Sequence, residues 1–60
     1  MITKLKAALT ARGITIYSLS KTTGIQYELL RRVFKGSRKL PADELVLILD
    51  KTGISIEEIK

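Results

Sequence analysis

Basic side chains are concentrated in the middle third of the chain. Residues 21–39 hold six cations against one acid, so this segment carries a net charge of +5, which equals that of the whole chain. The cations are Lys21, Arg31, Arg32, Lys35, Arg38 and Lys39, and the acid is Glu28. Guanidinium and ammonium groups form charge-assisted hydrogen bonds with phosphate and carboxylate oxygens. Residues 40–60 carry a net charge of −3, and this separation favours an anionic partner bound in one orientation.

The composition excludes several kinds of chemistry. The chain has no cysteine and no histidine, so disulfides, the usual zinc ligands and the commonest general base are missing. The carboxylates are scattered, the two tyrosines form no recognisable catalytic constellation, and 60 residues leave little room for a closed pocket. We therefore expect no enzyme activity, no catalytic residue, no metal site and no small-molecule cofactor.

Nothing in the sequence indicates a membrane protein. The longest apolar run, Leu45 to Leu49, is five residues, whereas about 18 are needed to span a bilayer. The N-terminal segment has two lysines but neither the apolar core nor the cleavage site of a signal peptide. We expect a soluble, cytoplasmic protein with no membrane partner.

Hydrophobic spacing predicts an all-α fold, with one compact domain over residues 1–60. We predict five helices, over residues 2–12, 16–23, 26–35, 41–52 and 56–59. Thr3 and Thr15 are the expected N-caps of the first two helices, and Ser55 with Glu58 forms a capping box for the last. A glycine follows each of the first four helices and ends it. The C-terminal isoleucines Ile54, Ile56 and Ile59 are expected to close the core.

The third predicted helix has two contrasting faces. At about 100° per residue, Leu30 and Val33 face inward, while the opposite face contains no aliphatic residue. The outward residues are Tyr27, Glu28, Arg31, Arg32 and Lys35. Such a face is either a solvated surface, on which Glu28 pairs with an arginine one turn away, or a surface that enters the major groove of DNA, which accepts one α-helix.

The surroundings of this helix favour the DNA interpretation. A short helix and a turn at Gly24 precede it, and Arg38 and Lys39 extend the positive charge beyond its C-terminal end. In such arrangements the first turn of the helix usually reads bases, while flanking cations bind phosphates. We therefore predict a helix-turn-helix over about residues 15–36.

The chain resembles the lambda-repressor and Cro-like transcriptional regulators over residues 3–59. The matching residues are Thr15, Leu19, Ser20, Gly24, Ile25, Leu30, Val33, Gly36, Pro41, Leu45, Ile48, Gly53, Ile54, Ser55, Glu57, Glu58 and Ile59. The resemblance implies a five-helix domain whose third helix enters the major groove. It also implies sequence-specific binding to a double-stranded DNA operator by a phage-type or prophage repressor or Cro-like regulator.

The resemblance further implies individual roles. Positions that commonly contact bases are Gln26, Tyr27, Glu28 and Arg32. Positions that commonly contact the DNA backbone are Arg31, Lys35, Arg38 and Lys39. The family's usual glutamine at the start of the second helix, which bridges a phosphate and the recognition helix, is Ile16 here. Either Tyr17 or Ser18 makes that backbone contact instead, or the contact is absent. Ser20 replaces the usual alanine, which we expect to be a mild change.

Each of these roles has an alternative. Arg32 can donate to a guanine edge or bind a phosphate, and Glu28 can accept from a cytosine amino group or orient an arginine. Tyr27 can contact a thymine methyl group or a phosphate, or it can be a half-exposed packing residue. Gln26 can bond to an adenine or a phosphate, or simply cap the helix. Lys21 has a weaker case, and a solvated lysine is the simpler expectation.

The fourth helix suggests a self-association surface. We expect Leu47 on its outer side, with Val46 at the edge, and we hypothesise a weak symmetric homodimer through these residues and the C-terminal turn. Two half-sites one helical turn apart multiply affinity. The competing function is an antitoxin-like or coactivator module that keeps the fold but binds protein. We rank this function lower because a protein-binding surface should be more apolar than basic. The only apolar candidates here are Val46, Leu47 and Phe34, whereas the basic stretch is dense.

Overall fold

The computed structural model describes all 60 residues and contains five α-helices and no strand. The helices are α1 (Ile2–Ala11), α2 (Ile16–Thr23), α3 (Tyr27–Lys35), α4 (Ala42–Thr52) and α5 (Ile56–Ile59). The prediction of an all-α, five-helix fold is confirmed, and no helix end differs from its predicted position by more than one residue. None of the helices has the length and apolar character that a membrane crossing requires.

The interior is entirely aliphatic, with eight buried side chains and no buried polar or charged residue. The buried residues are Leu5, Leu9, Leu19, Leu30, Val33, Ile48, Ile54 and Ile59. Every helix contributes at least one of them. Full burial of such a side chain stabilises the fold by about 1.5–3 kcal/mol, so these contacts fix how the helices pack.

The same three residues, Thr-Gly-Ile, end α2 and α4, at positions 23–25 and 52–54. In both places the threonine hydroxyl donates to the carbonyl four residues earlier and accepts the N–H of the following isoleucine. Gly24 and Gly53 have φ angles of 79° and 75°, a left-handed conformation that glycine adopts without steric strain. The chain therefore turns sharply at each site and brings an isoleucine back against the core.

The turn between α2 and α3 has one further hydrogen bond, which the sequence analysis did not anticipate. The Ser20 hydroxyl donates to the Ile25 carbonyl over 2.5 Å, in a partly buried position. This bond joins α2, which contains Ser20, to the segment that leads into α3. It adds a direct polar link to the apolar contacts that hold the two helices together.

The two N-terminal caps differ. Thr15 caps α2 as predicted, since its hydroxyl accepts the Ser18 N–H and the Ser18 hydroxyl accepts the Thr15 N–H. The prediction that Thr3 caps α1 is wrong. The Met1 carbonyl already accepts the Leu5 N–H at 2.9 Å, so the helix starts at Ile2 and Thr3 lies inside its first turn.

The C-terminal helix is fixed to α1 by a charged pair. The Arg12 guanidinium donates to both carboxylate oxygens of Glu58, at 2.9 and 3.1 Å. Glu58 also accepts the Ser55 N–H, which completes the predicted capping box. The prediction that Ile56 closes the core is wrong, because this first residue of the one-turn α5 remains 44% exposed while Ile54 and Ile59 are buried.

Candidate nucleic-acid interface

The outward face of α3 is polar along its whole length. Leu30 and Val33 are buried beneath it, and Phe34 at its border packs partly against the core. The exposed residues of the face are Tyr27, Glu28, Arg32 and Lys35, and Arg31 is partly exposed. The predicted division of α3 into an inner and an outer stripe is therefore present in the structure.

Glu28 and Arg31 form the strongest polar contact on this face. The Arg31 Nη2 donates to Glu28 Oε1 at 2.5 Å, and its Nε lies 3.1 and 3.2 Å from the two carboxylate oxygens. The hydrogen bonds from Arg31 lower the pKa of Glu28, and the same pairing raises the pKa of Arg31. In the free protein Glu28 thus orients Arg31, which is the alternative role given to it above.

Arg32 is held much less firmly. Its Nε lies 3.7 Å from Glu28 Oε1, and 57% of its side chain is exposed. At that distance the contact is an ion pair rather than a hydrogen bond. The guanidinium donors of Arg32 are consequently available to a ligand in front of the helix.

Gln26, the predicted first residue of the third helix, occupies the N-cap position of α3, one residue before the observed helix start at Tyr27. Its side chain makes no capping hydrogen bond and is exposed. A capping role therefore does not account for this residue. The amide donors and acceptor of Gln26 are free at the N-terminal end of α3.

Two exposed tyrosines lie side by side where α2 and α3 begin. The rings of Tyr17 and Tyr27 meet edge to face, with centroids 6.5 Å apart and an interplanar angle of 63°. They are 59% and 44% exposed. The Lys21 ammonium lies 4.7 Å from the centroid of the Tyr17 ring, so Lys21 is engaged in a cation–π contact rather than simply solvated.

At the start of α2, Ile16, Tyr17 and Ser18 have different surroundings. Ile16 packs partly against the core and, with Phe34, lines a surface cavity of about 310 Å³ beside the α1–α2 turn. The Ser18 hydroxyl is occupied by Thr15, accepting its N–H and donating to its carbonyl. Tyr17 alone presents an exposed side chain from this turn towards α3.

Arg38 and Lys39 follow α3 in the loop that leads to α4. Arg38 donates to both carboxylate oxygens of Glu44 at 2.9 Å, and the two side chains are only 25% and 18% exposed. The hydrogen bond from Arg38 lowers the pKa of Glu44. Arg38 therefore fixes the loop to the first turn of α4, whereas Lys39 is exposed.

The sequence was also compared with known proteins. A family model described as helix-turn-helix matches residues 5–59, which is most of the chain. The chain belongs to the lambda-repressor/Cro-like helix-turn-helix family. Neither a comparison with curated proteins nor one with solved structures gave a match. The helix-turn-helix family comprises DNA-binding regulators of transcription, so the domain is of a type that binds double-stranded DNA.

In this family context two residues gain roles that sequence reasoning did not assign. Ser20 stands where the family usually has alanine and forms the Ile25 hydrogen bond described above. Lys21 contacts the exposed Tyr17 ring. The Ser20 bond depends on the turn that follows α2, whereas Lys21 and Tyr17 both belong to α2. Only the helical spacing of Tyr17 and Lys21, four residues apart, was visible in the sequence.

The hypothesised dimer surface differs in detail from its prediction. Val46 is the most exposed large hydrophobic residue, at 65%, whereas Leu47 is partly buried. The expected order of exposure was the reverse and is wrong. A helical wheel treats α4 in isolation, while in the folded domain neighbouring segments shield Leu47 and leave Val46 open.

Proposed function

We propose that this domain is a sequence-specific regulator of the phage-type repressor or Cro-like class, which inserts α3 into the major groove of its operator. The observation that carries this proposal is the outward face of α3, which is free of aliphatic side chains and exposes the donors of Arg32. The proposed base-contacting residues are Gln26, Tyr27, Glu28 and Arg32. A guanine edge offers two acceptors to an arginine fork, so we assign guanine recognition to Arg32.

The proposed backbone contacts flank this reading surface. They comprise Arg31, Lys35, Arg38, Lys39, Tyr17 and Ser18. Lys35 and Lys39 are exposed and can reach phosphates directly. Arg31 and Arg38 already hold a carboxylate in bidentate or near-bidentate geometry, and a phosphate offers the same arrangement of acceptor oxygens. We infer that DNA binding draws these two arginines towards phosphates.

The test separates affinity from specificity. A selection from a random duplex pool gives the operator, and binding of Arg32→Ala and Arg38→Ala is then measured on that site and on random duplex. Arg38→Ala is expected to weaken both duplexes alike and to reduce the salt slope by about one unit. Arg32→Ala is expected to lose about 1–3 kcal/mol of discrimination at one base pair.

Thermal melting of the same variants controls for folding. Arg38→Ala also breaks the contact with Glu44, so Lys39→Ala, at an exposed neighbouring position, serves as the matched variant for charge loss. If both arginine variants bind specific and random duplexes as the unmodified protein does, α3 does not present its outward face to DNA. That result would favour the antitoxin-like or coactivator function, in which the fold serves to bind protein.

We also propose a weak symmetric homodimer that uses Val46 and Leu47. The supporting observation is the 65% exposure of Val46 on α4. Such pairing suits an operator with two half-sites about 34–36 Å apart. Val46→Asp is expected to abolish the dimer in sedimentation at high protein concentration. A monomer at every concentration, unchanged by Val46→Asp and Leu47→Asp, would remove the hypothesis.

A further inference from the structure

The exposed pair of tyrosines is the most unusual feature of the surface. Tyr17 is in the first turn of α2 and Tyr27 is the first residue of α3, yet neither belongs to the core. An aromatic ring that is not packed in the core exposes a large apolar surface. The two rings lie together beside the end of α3 that we assign to base reading, and we call the space between them the notch.

The geometry of the notch limits what it can hold. Carbon atoms in van der Waals contact lie about 3.5–4.0 Å apart. The ring centroids are 6.5 Å apart, less than twice that distance, so a single carbon atom can contact both rings at once. The angle of 63° between the rings means that they do not stack face to face. A methyl group fits this description, whereas a flat base would need two rings that lie face to face.

The contact between Lys21 and Tyr17 supports the same interpretation. The ammonium lies 4.7 Å from the ring centroid, one helical turn along α2, and restricts the orientation of an otherwise exposed side chain. The cation also adds positive charge beside the notch. The site therefore combines an apolar receptor with a cation suited to the neighbouring backbone.

We propose that Tyr17 and Tyr27 together form a receptor for the 5-methyl group of a pyrimidine exposed in the major groove. This inference rests on the proposed function, because it requires α3 to enter that groove. Thymine carries such a methyl group at the major-groove edge, and 5-methylcytosine carries one at the same ring position. The ring of Tyr17 thereby takes part in base reading, in addition to the backbone contact proposed above for this residue, and α2 contributes a specificity-determining side chain.

The experiment starts from an operator obtained by selection. Each thymine of the site is replaced singly by deoxyuridine, which removes only the methyl group. We expect one position to lose about fourfold in affinity, which corresponds to about 0.8 kcal/mol for one buried carbon group. Tyr17→Ala and Tyr27→Ala should each reduce that difference, whereas Tyr17→Phe, which keeps the ring, should retain it.

A second arm identifies the methyl group itself as the recognised feature. At the sensitive position, the T·A pair is replaced by C·G, with and without a 5-methyl group on the cytosine. Methylation is expected to recover about fourfold in affinity. The proposal is wrong if methylation of the cytosine does not recover affinity, or if deoxyuridine has no effect at any position. It is also wrong if both alanine variants leave the deoxyuridine effect unchanged. If the proposed function itself is wrong, the protein binds the selected and random duplexes equally well, and this result can be told apart from a failure of the methyl receptor alone. Melting curves of the variants show whether they fold.

Discussion

The hydrogen bond from Ser20 to Ile25 allows a prediction in which two physical effects have opposite signs. Ser20→Ala removes a bond of 2.5 Å in a partly buried site and leaves the Ile25 carbonyl without that partner. The loss is worth about 1–2 kcal/mol. Alanine is the better helix former by about 0.5 kcal/mol, so the net effect is a loss of about 0.5–1.5 kcal/mol. In a domain of this size, 1 kcal/mol lowers Tm by about 4–8 °C.

The assay is thermal and urea unfolding followed by circular dichroism. Thr22→Ala is the matched control, because the Thr22 hydroxyl also donates to a carbonyl, that of Ser18, but in an exposed position within α2. In Thr22→Ala, water can donate to the exposed Ser18 carbonyl in place of the hydroxyl. Because alanine has the higher helix propensity, we expect Thr22→Ala to be as stable as the unmodified protein or slightly more stable. If Ser20→Ala is also stabilised, the Ser20 bond is worth less than the gain of about 0.5 kcal/mol in helix propensity, and the reasoning that makes it a stabilising link is refuted.

Three further predictions follow. Gly24→Ala should destabilise the domain by about 1 kcal/mol through its φ of 79° alone, because a Cβ there meets nothing within 4 Å; Gly24→Asn should lose less in the same melts. Hydrogen bonds from the Ser55 N–H and Arg12 lower the pKa of Glu58, so its contribution to stability is complete above about pH 4.3 and is lost as the pH falls through the lowered pKa. Acid titration of Glu58→Gln should show a smaller loss of stability, and an unchanged titration would contradict this. Glu28→Gln should tighten binding to random duplex about two- to threefold at ~0.15 M salt, since a carboxylate beside phosphates is removed; weaker binding in a fluorescence anisotropy titration would show that orienting Arg31 matters more.

The helices could be read from the sequence because their signals are local. Each of these signals involves residues no more than four positions apart: the core stripe of α3, the Thr15 cap and the glycine after each helix. They can therefore be recognised without knowledge of the tertiary structure. The errors occurred where local signals were weak or ambiguous. Near the N-terminus, both Met1 and Thr3 could precede the first helical residue of α1. Ile56 begins a helix of a single turn, and in so short a helix the spacing of apolar residues does not define an inward face.

The polar contacts between elements could not be predicted in the same way. Arg12 and Glu58 are 46 residues apart, and the sequence contains five other carboxylates that could pair with this arginine. Arg38 and Glu44 are six residues apart, but the loop between them sets their geometry, and no periodic pattern encodes it. The Tyr17–Tyr27 contact likewise depends on the angle between α2 and α3.

These pairings change how the basic surface should be understood. By sequence, the cations after Gly24 are equivalent charges, but in the structure they form two groups. Arg31 and Arg38 are held by Glu28 and Glu44, so part of the side-chain entropy that a DNA contact would require has already been lost on folding. Arg32 and Lys35 are open to solvent and must be ordered by the ligand. A phosphate that replaces a carboxylate on a held arginine has to compete with that carboxylate, whereas an open cation has no strong partner to lose. Each phosphate contact by an open cation should therefore add more net affinity than one by a held arginine, and the held arginines should also fix the orientation of α3 on the duplex.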